Sequence, residues 1–221
     1  MKDIGSRFNF SQKFIVKKYT DFNLIQKIYL RLKRILDVLI SILTLVIFSP
    51  LLIIVSLLIK STSKGPVLFF QNRVGQNGEI IKIYKFRTME LKAPKNVATW
   101  NFENPDDYIT KVGKILRVTS IDEMPQLINV LKGEMSLIGP RPLICEEKEA
   151  HEIRFKNGVY SIKPGITGLA QISGRDILSI EDKVNFDIEY LHSISFKKDL
   201  SIFFKSILVV IKRSDFLEGK R

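Results

Sequence analysis

A run of uncharged, mostly apolar residues, 38–59, constrains this chain more than any other feature. As a straight helix the run would reach about 33 Å, enough to cross the hydrocarbon core of a bilayer. Ser49-Pro50 stands in its middle, and a proline removes a backbone donor and clashes with the preceding helical turn. A serine hydroxyl can bond the backbone that such a break leaves open. The run therefore predicts a membrane helix that is broken at Ser49-Pro50.

Basic residues flank both ends of this run: Lys27, Arg31, Lys33 and Arg34 before it, and Lys60, Lys64 and Arg73 after it. Lysine and arginine close to a membrane segment favour the cytoplasmic side. A helix-break-helix that enters and leaves one leaflet keeps both flanks on that side, whereas a crossing helix does not. The sequence leaves two interpretations open: a re-entrant hairpin over residues 33–60 and an ordinary kinked span.

The 221 residues carry a formal net charge of +12, from 35 basic and 23 acidic side chains. Such an excess indicates a phosphate-bearing partner, which is a nucleic acid, an anionic membrane face or a charged substrate. The apolar run favours the membrane and argues against nucleic acid. The basic arm, residues 1–32, fits an interfacial segment, with a disordered arm as the alternative for residues 1–20. The single cysteine, Cys145, excludes an internal disulfide and fits a reducing compartment.

Apolar and β-branched residues predict two strands, 67–71 and 80–86, joined by a turn at 75–78. Helical patterns follow at residues 106–118, 121–132, 146–156, 180–192 and 196–213. The last helix is typical of a segment in the membrane interface, or of a packed terminal core helix.

Together these patterns predict an α+β fold, mostly helical and membrane-associated, with a short β-hairpin, amphipathic interfacial helices and a membrane helix broken at Ser49-Pro50, as either a re-entrant hairpin or a kinked span. The expected divisions are the basic arm 1–32, the membrane helix 33–60, a cytoplasmic catalytic domain 61–213 and a tail 214–221.

Asp122 and Glu123 are adjacent carboxylates at a predicted helix start. An aspartate can attack phosphorus and form an acyl phosphate, and a neighbouring carboxylate can hold Mg²⁺, which shares its oxygen ligands with substrate phosphates. The alternative is an ordinary capping box, since Ser120 lies three residues before Glu123. Pro125 fits that register poorly, and a helix start one or two residues later suits it better. The pair is therefore a candidate catalytic and metal-binding dyad as well as a candidate helix cap.

Cations accompany this dyad. Arg117 and Arg141 lie on either side of it in sequence, and arginine forks clamp phosphoryl oxygens. Lys85 and Arg87 end a predicted strand, where snorkelling toward lipid head groups is the alternative. A glycine-rich loop is predicted at residues 163–175, and it would let backbone donors approach an anion. Its candidate phosphate-binding or substrate-binding residues are Lys163, Gly165, Thr167, Gly168, Gln171 and Arg175.

Several short blocks occur in order along the chain: Lys33-Arg34-Ile35-Leu36-Asp37, Phe48-Ser49-Pro50, Phe70-Gln71-Asn72-Arg73-Val74-Gly75, Lys85-Phe86-Arg87-Thr88-Met89, Thr119-Ser120-Ile121-Asp122-Glu123-Met124-Pro125-Gln126, Gly139-Pro140-Arg141-Pro142 and Lys163-Pro164-Gly165-Ile166-Thr167-Gly168. Each block is weak alone, but their joint order is specific. Over roughly residues 28–213 the chain resembles the bacterial sugar transferases, the monotopic polyprenyl-phosphate phosphoglycosyltransferases.

The resemblance implies transfer of a sugar 1-phosphate from a UDP-sugar to undecaprenyl phosphate with release of UMP. That reaction starts the assembly of a surface glycan, such as a capsule, exopolysaccharide, O-antigen or glycoprotein glycan. By resemblance, Asp122 is the nucleophile of a covalent phosphosugar-aspartate intermediate and Glu123 is the Mg²⁺ partner. Arg117 and Arg141 are then phosphate-handling arginines, and Lys85 with Arg87 forms a basic cluster beside the site.

The resemblance also favours the re-entrant reading of Ser49-Pro50. It places the protein in the bacterial inner membrane, facing the cytoplasm, with membrane lipid and downstream glycosyltransferases as partners and no nucleic acid. Two other functions fit the residues less well. One is a membrane-bound phosphatase that passes an Asp122 aspartyl-phosphate to water, and the other is a non-catalytic basic membrane adaptor in which the dyad only caps a helix.

Overall fold

The computed structural model describes residues 21–93, 107–174 and 178–212. Its helices are α1 (Leu24–Ile47), α2 (Ser49–Thr62), α3 (Lys111–Val118), α4 (Leu127–Lys132), α5 (Lys148–Lys156), α6 (Leu169–Ile172), α7 (Ile180–Ser193) and α8 (Phe196–Lys212). Its strands are β1 (Leu68–Val74), β2 (Ile80–Phe86), β3 (Ser136–Ile138) and β4 (Gly165–Thr167). The predictions for residues 1–20, for the tail 214–221 and for Arg175 lie outside the described residues.

The strands form two small sheets. β1 and β2 make the predicted antiparallel hairpin, in which Leu68 faces Phe86 and Val74 faces Ile80. β3 and β4 pair in parallel, a sheet that the sequence did not predict. The mixed, mostly helical composition of the fold is confirmed.

The chain breaks where Ser49-Pro50 predicted it. α1 ends at Ile47, α2 begins at Ser49, and the two helices are bent by 63°. The Ser49 hydroxyl donates a hydrogen bond of 2.8 Å to the Val46 carbonyl. Pro50 stands in the first turn of α2, where its missing N–H leaves no helical hydrogen bond unmade. Among the described helices, none alone has the length and composition of a membrane span, and only the bent pair reaches both together.

Large apolar side chains stay exposed on these two helices and on α8: Leu39, Ile42, Leu43, Val46, Ile47, Ile53, Ile54, Leu57 and Leu58 on the bent pair, and Phe196, Leu200, Phe203, Phe204, Ile207, Leu208 and Ile211 on α8. Exposed apolar side chains in such number mark regions that contact another apolar phase or partner.

A buried carboxylate on α8 ties three helices together. Asp199 accepts hydrogen bonds from Tyr29 (2.6 Å) and Lys33 (2.5 Å) of α1 and from Tyr190 (2.7 Å) of α7. Removing such a charge from water is costly unless the partner groups satisfy it, as they do here. The contact fixes the first half of α1 against the rest of the protein.

A second buried carboxylate, Asp37, attaches α1 to β3. It accepts hydrogen bonds from the Ser136 hydroxyl (2.7 Å) and from the Leu137 backbone N–H (3.2 Å). The strand is therefore anchored by the Asp37 side chain of α1 as well as by its pairing with β4.

The prediction of one helix over 121–132 was wrong. Residues Ile121–Gln126 form a 3₁₀ segment, and α4 begins only at Leu127. Pro125 lies inside the 3₁₀ segment, where it supplies no backbone donor. The capping box is not formed either, because Ser120 adopts a left-handed conformation (φ 57°) and its side chain makes no capping bond.

Two other predicted segments differ from the structure. The predicted helix 106–118 begins at Lys111, because the Thr110 side chain caps it by accepting a hydrogen bond from the Gly113 N–H. The segment 163–175, predicted as a loop, contains β4 and α6. A three-residue strand and a four-residue helix are too short to show a hydrophobic period.

We expect Asp199→Asn to lower the free energy of unfolding by about 3–5 kcal/mol, because the buried Lys33 then loses its ion-pair partner. The matched control is Glu189→Gln, which removes the ion pair of an exposed carboxylate with Lys198 and should cost about 0–1 kcal/mol. Denaturant unfolding in a mild detergent measures both values. Equal losses in the two variants would contradict the proposed importance of the buried contact.

Candidate active site

The candidate site contains Lys85, which lies on the buried face of β2. Side chains alternate along a strand, so Ile81, Ile83 and Lys85 share one face, and the two isoleucines are buried. A cation at the end of such a face needs a counter-charge. Glu123 supplies it, with 2.6 Å between the Lys85 Nζ and the Glu123 Oε1, and both side chains are largely buried. Arg141 approaches the same oxygen at 3.6 Å.

Asp122 is the buried carboxylate beside this pair. Only 8% of its surface is exposed, and the described residues form no hydrogen bond with its side chain. Burial raises the pKa of Asp122 to about 6; Lys85, Arg117 and Arg141 oppose the rise, while Glu123 adds to it. Positive charge thus surrounds an acid whose ionised form is poorly solvated. That combination suits a group that reacts with a phosphate.

Backbone strain precedes the dyad. Ser120 is one of two non-glycine residues with positive φ in the described part of the chain, and that conformation carries a cost for a residue with a Cβ. Its hydroxyl is buried without a hydrogen-bond partner among the described residues. The Glu123 N–H bonds the Ser120 carbonyl at 3.2 Å, so the tight turn directly orients the two carboxylates.

Close backbone packing positions Arg141. The Gly139 N–H donates to the Thr167 carbonyl and the Gly165 N–H to the Pro140 carbonyl, both at 2.9 Å. A Cβ on Gly165 would lie 2.1 Å from the Gly139 nitrogen, and one on Gly168 would lie 2.2 Å from the Gly139 oxygen. These glycines therefore allow backbone to approach backbone, whereas the sequence had suggested an approach to an anion.

A buried ion pair also supports the loop that carries Arg141. Arg154 of α5 donates a 2.8 Å hydrogen bond to the Arg141 carbonyl and pairs with Asp187 of α7. Both partners are almost fully buried. The backbone of Arg141 is therefore fixed while its guanidinium remains partly exposed toward the site.

Arg73 is a site residue to which the sequence assigned no role. It lines a small cavity together with Lys85, Glu123 and Arg141. Its guanidinium donates to the Pro142 carbonyl at 3.1 Å and to the Gln71 side chain. Burial, and then Arg141, lowers the pKa of Arg73 to about 10. Its place in the block that runs from Phe70 to Gly75 was the signal available in the sequence.

Some predicted site residues make structural contacts instead. The Arg87 guanidinium donates to the Ser63 and Lys64 carbonyls at 2.9 and 2.6 Å, and so holds the end of α2. The Thr167 hydroxyl bonds Ser206 of α8 at 2.7 Å, and Gln171 donates to the Ile166 carbonyl at 2.9 Å.

The structure thus gathers part of the predicted set. Lys85, Glu123, Arg141 and Gly165 surround one cavity, with Asp122 and Arg117 within electrostatic reach. Lys163 lines a different cavity.

The donor set suits a shared metal ion better than a metal cage made by protein alone. Among the described residues, no group of three or more histidine, cysteine or carboxylate side chains is arranged to hold a metal. Mg²⁺ is commonly bound by one or two carboxylates, with substrate phosphates and waters completing its shell. Asp122 and Glu123 fit that pattern, although an ion at Glu123 would share the carboxylate with the Lys85 ammonium.

The chain is 41% identical over 182 residues to a UDP-glucose:undecaprenyl-phosphate glucose-1-phosphate transferase of Klebsiella pneumoniae, covering 79% of this chain and 39% of that protein. It is 39% identical over 199 residues to an undecaprenyl-phosphate galactose phosphotransferase of Salmonella typhimurium, covering 82% and 41%. It thus spans about two fifths of the length of these relatives.

A shorter relative matches over most of its own length. The exopolysaccharide production protein ExoY of Rhizobium meliloti is 39% identical over 192 residues, which are 80% of this chain and 84% of that protein. The model of the family described as bacterial sugar transferase matches residues 28–213, a range that contains every site residue described above. The chain therefore belongs to the bacterial sugar transferase family.

Proposed function

We propose that this protein transfers a sugar 1-phosphate from a UDP-sugar to undecaprenyl phosphate and releases UMP. The observation that carries the proposal is a buried carboxylate, Asp122, set among Lys85, Arg117 and Arg141. The names of relatives with undecaprenyl phosphate as acceptor support the substrate class. Those names differ in the sugar, glucose or galactose, so the proposal leaves the sugar open.

In the first step, the Asp122 carboxylate attacks the phosphorus that carries the sugar. A bond forms between the carboxylate oxygen and phosphorus, and the bond to the UMP oxygen breaks with its electron pair leaving on UMP. Arg141, Arg117 and Lys85 neutralise charge that spreads over the phosphoryl oxygens. Since these cations are positioned before the substrate arrives, they need little rearrangement during the reaction.

In the second step, an oxygen of the lipid phosphate attacks the same phosphorus, and the Asp122 carboxylate leaves. The nucleophile is thereby regenerated, and the sugar 1-phosphate stays on the lipid carrier. Mg²⁺, when bound by Asp122 and Glu123, would neutralise the diphosphate of the donor. Glu123 also holds the Lys85 ammonium next to the reacting carboxylate.

We infer that α1 and α2 form a re-entrant membrane hairpin and that α8 lies in the membrane interface, with the catalytic part facing the cytoplasm of a bacterial cell. The 63° bend and the exposed apolar side chains of all three helices support this arrangement. Lysines and arginines at both ends of the bent pair favour the cytoplasmic side.

The re-entrant arrangement predicts that both ends of the bent pair are accessible from the same side of the membrane. Lys27 and Lys64 are exposed, and each is replaced by cysteine in a Cys145→Ser background. Both cysteines should react with a membrane-impermeant maleimide in inside-out vesicles. Neither should react in intact cells made permeable only at the outer membrane. Labelling of the two positions from opposite sides would establish a crossing helix and contradict the hairpin.

The nucleophile is tested by Asp122→Asn, which keeps the shape of the side chain but removes its charge. We expect UMP release from the accepted UDP-sugar to fall at least about a thousandfold. Asp21→Asn, the same change at an exposed position, should leave the rate unaltered. The assay follows UMP and the lipid product in detergent with Mg²⁺ and undecaprenyl phosphate, over a panel of UDP-sugars.

Other outcomes of that assay favour other functions. UMP release that survives Asp122→Asn removes the covalent mechanism. Absence of UMP release from every donor, in wild type as in the variant, would support the non-catalytic adaptor. Release of inorganic phosphate with no sugar phosphate on the lipid would support a phosphatase.

The pKa of Asp122 predicts opposite effects of pH on activity and stability. The carboxylate must be ionised to attack, so kcat/KM should fall about tenfold per pH unit below about 6. The folded state binds this proton more tightly than the unfolded state does. The free energy of unfolding should therefore increase as the pH falls from about 6 toward the usual aspartate pKa near 3.9. The difference in unfolding free energy between wild type and Asp122→Asn, measured from pH 7 to 4, isolates this contribution. A pH-independent difference would contradict it.

A further inference from the structure

A second cavity, of about 150 Å³, lies apart from the Asp122 site. It is enclosed by α1, β3, the segment 161–163 and α7, and among the described residues none lines both cavities. The volume has room for several water molecules and hence for a small polar group. The proposed transfer reaction gives this cavity no role.

Two cations meet at one edge of this cavity. The Arg34 Nη2 and the Lys163 Nζ lie 3.5 and 3.6 Å from the point that a Cβ on Gly133 would occupy. Arg34 also donates to the carbonyls of Val130 and Leu131 at the end of α4, which fixes its guanidinium. The Lys163 ammonium makes no hydrogen bond with the described residues, and burial, followed by Arg34, lowers the pKa of Lys163.

The other charged residues of the lining are already engaged. Lys33 is paired with Asp199, and the two oxygens of Asp37 accept hydrogen bonds from Ser136 and Leu137. Asp37 weakly favours the charged form of Lys163 without forming an ion pair with it. The cavity is therefore left with more positive than negative charge.

A hydroxyl without a partner completes the set. The Ser161 Oγ is buried and has no hydrogen-bond partner among the described residues, and Ser161 lines the cavity. A buried hydroxyl of this kind carries a desolvation cost until an acceptor reaches it. An anion with several acceptor oxygens would satisfy the hydroxyl and both cations at once.

We propose that this cavity binds a phosphate group, held by Arg34, Lys163 and the Ser161 hydroxyl. Arg34 lies four residues, or about 6 Å along the helix, before the apolar run that begins at Val38. A phosphate bound this close to the apolar run can belong to an anionic lipid head group or to a soluble phosphate compound. The binding chemistry is the same for both sources.

The test compares wild type with Lys163→Gln, Ser161→Ala and the control Lys148→Gln, which removes the same charge from an exposed position. One arm measures the thermal unfolding of detergent-purified protein against inorganic phosphate at constant ionic strength. The other arm compares nanodiscs of phosphatidylglycerol with nanodiscs of phosphatidylcholine. Because the readout is ligand-dependent stability, it is independent of turnover at Asp122.

We expect wild type and Lys148→Gln to gain several degrees in Tm from one of the two phosphate sources. In Lys163→Gln and Ser161→Ala the apparent affinity should fall roughly tenfold or more. Without ligand, Ser161→Ala should be as stable as wild type or more so, because it removes an unpaired buried hydroxyl, and this variant therefore guards against a mere folding defect.

A response to inorganic phosphate that both cavity variants lose assigns the site to a soluble phosphate. If wild type has a higher Tm in phosphatidylglycerol than in phosphatidylcholine nanodiscs and both cavity variants lose this difference, the site is assigned to a lipid head group. Cavity variants that respond like Lys148→Gln in both arms would overturn the proposal.

Discussion

The break at Ser49-Pro50 divides the apolar run into two arms, and each arm is tied to a different side of the site. Through Asp37, α1 holds β3, and the chain that leaves β3 becomes the loop carrying Arg141. Directly after α2, the carbonyls of Ser63 and Lys64 hold Arg87, two residues after Lys85. The relative position of Arg141 and Lys85 therefore depends on how the bent pair is fixed.

Buried ion pairs make further long-range connections. Lys33–Asp199, Lys85–Glu123 and Arg154–Asp187 each join segments that are far apart in sequence. Such pairs add little net stability compared with apolar contacts, but breaking one leaves an uncompensated charge in the interior. These ion pairs therefore strongly disfavour other ways of packing the same segments. Asp122 differs from these carboxylates because no described side chain forms a hydrogen bond or an ion pair with it, and it is the group to which we assign the chemistry.

The sequence predicted features that depend on local chemistry. The Ser49 hydroxyl bond, the β1–β2 hairpin and the proximity of Glu123 to Arg141 were all expected and are observed. Features set by distant contacts were not predictable. β3 and β4 are too short for a periodic signal, and Arg87 binds the backbone carbonyls that follow α2 instead of the site. Lys163 shares a glycine-rich segment with Gly165, yet the two line different cavities, which no local pattern encodes.

The burial of Asp122 has a consequence for the lifetime of the proposed intermediate. An acyl phosphate is open to attack by water as well as by the lipid acceptor, and the ratio of the two rates decides how many donor molecules are wasted. In the proposed mechanism, the low hydration that hinders ionisation of the carboxylate would also keep water from the phosphorus once the sugar phosphate is attached. A more hydrated site would ionise the nucleophile more readily and lose more of the intermediate to hydrolysis. Burial of this carboxylate therefore favours fidelity of transfer over speed of attack.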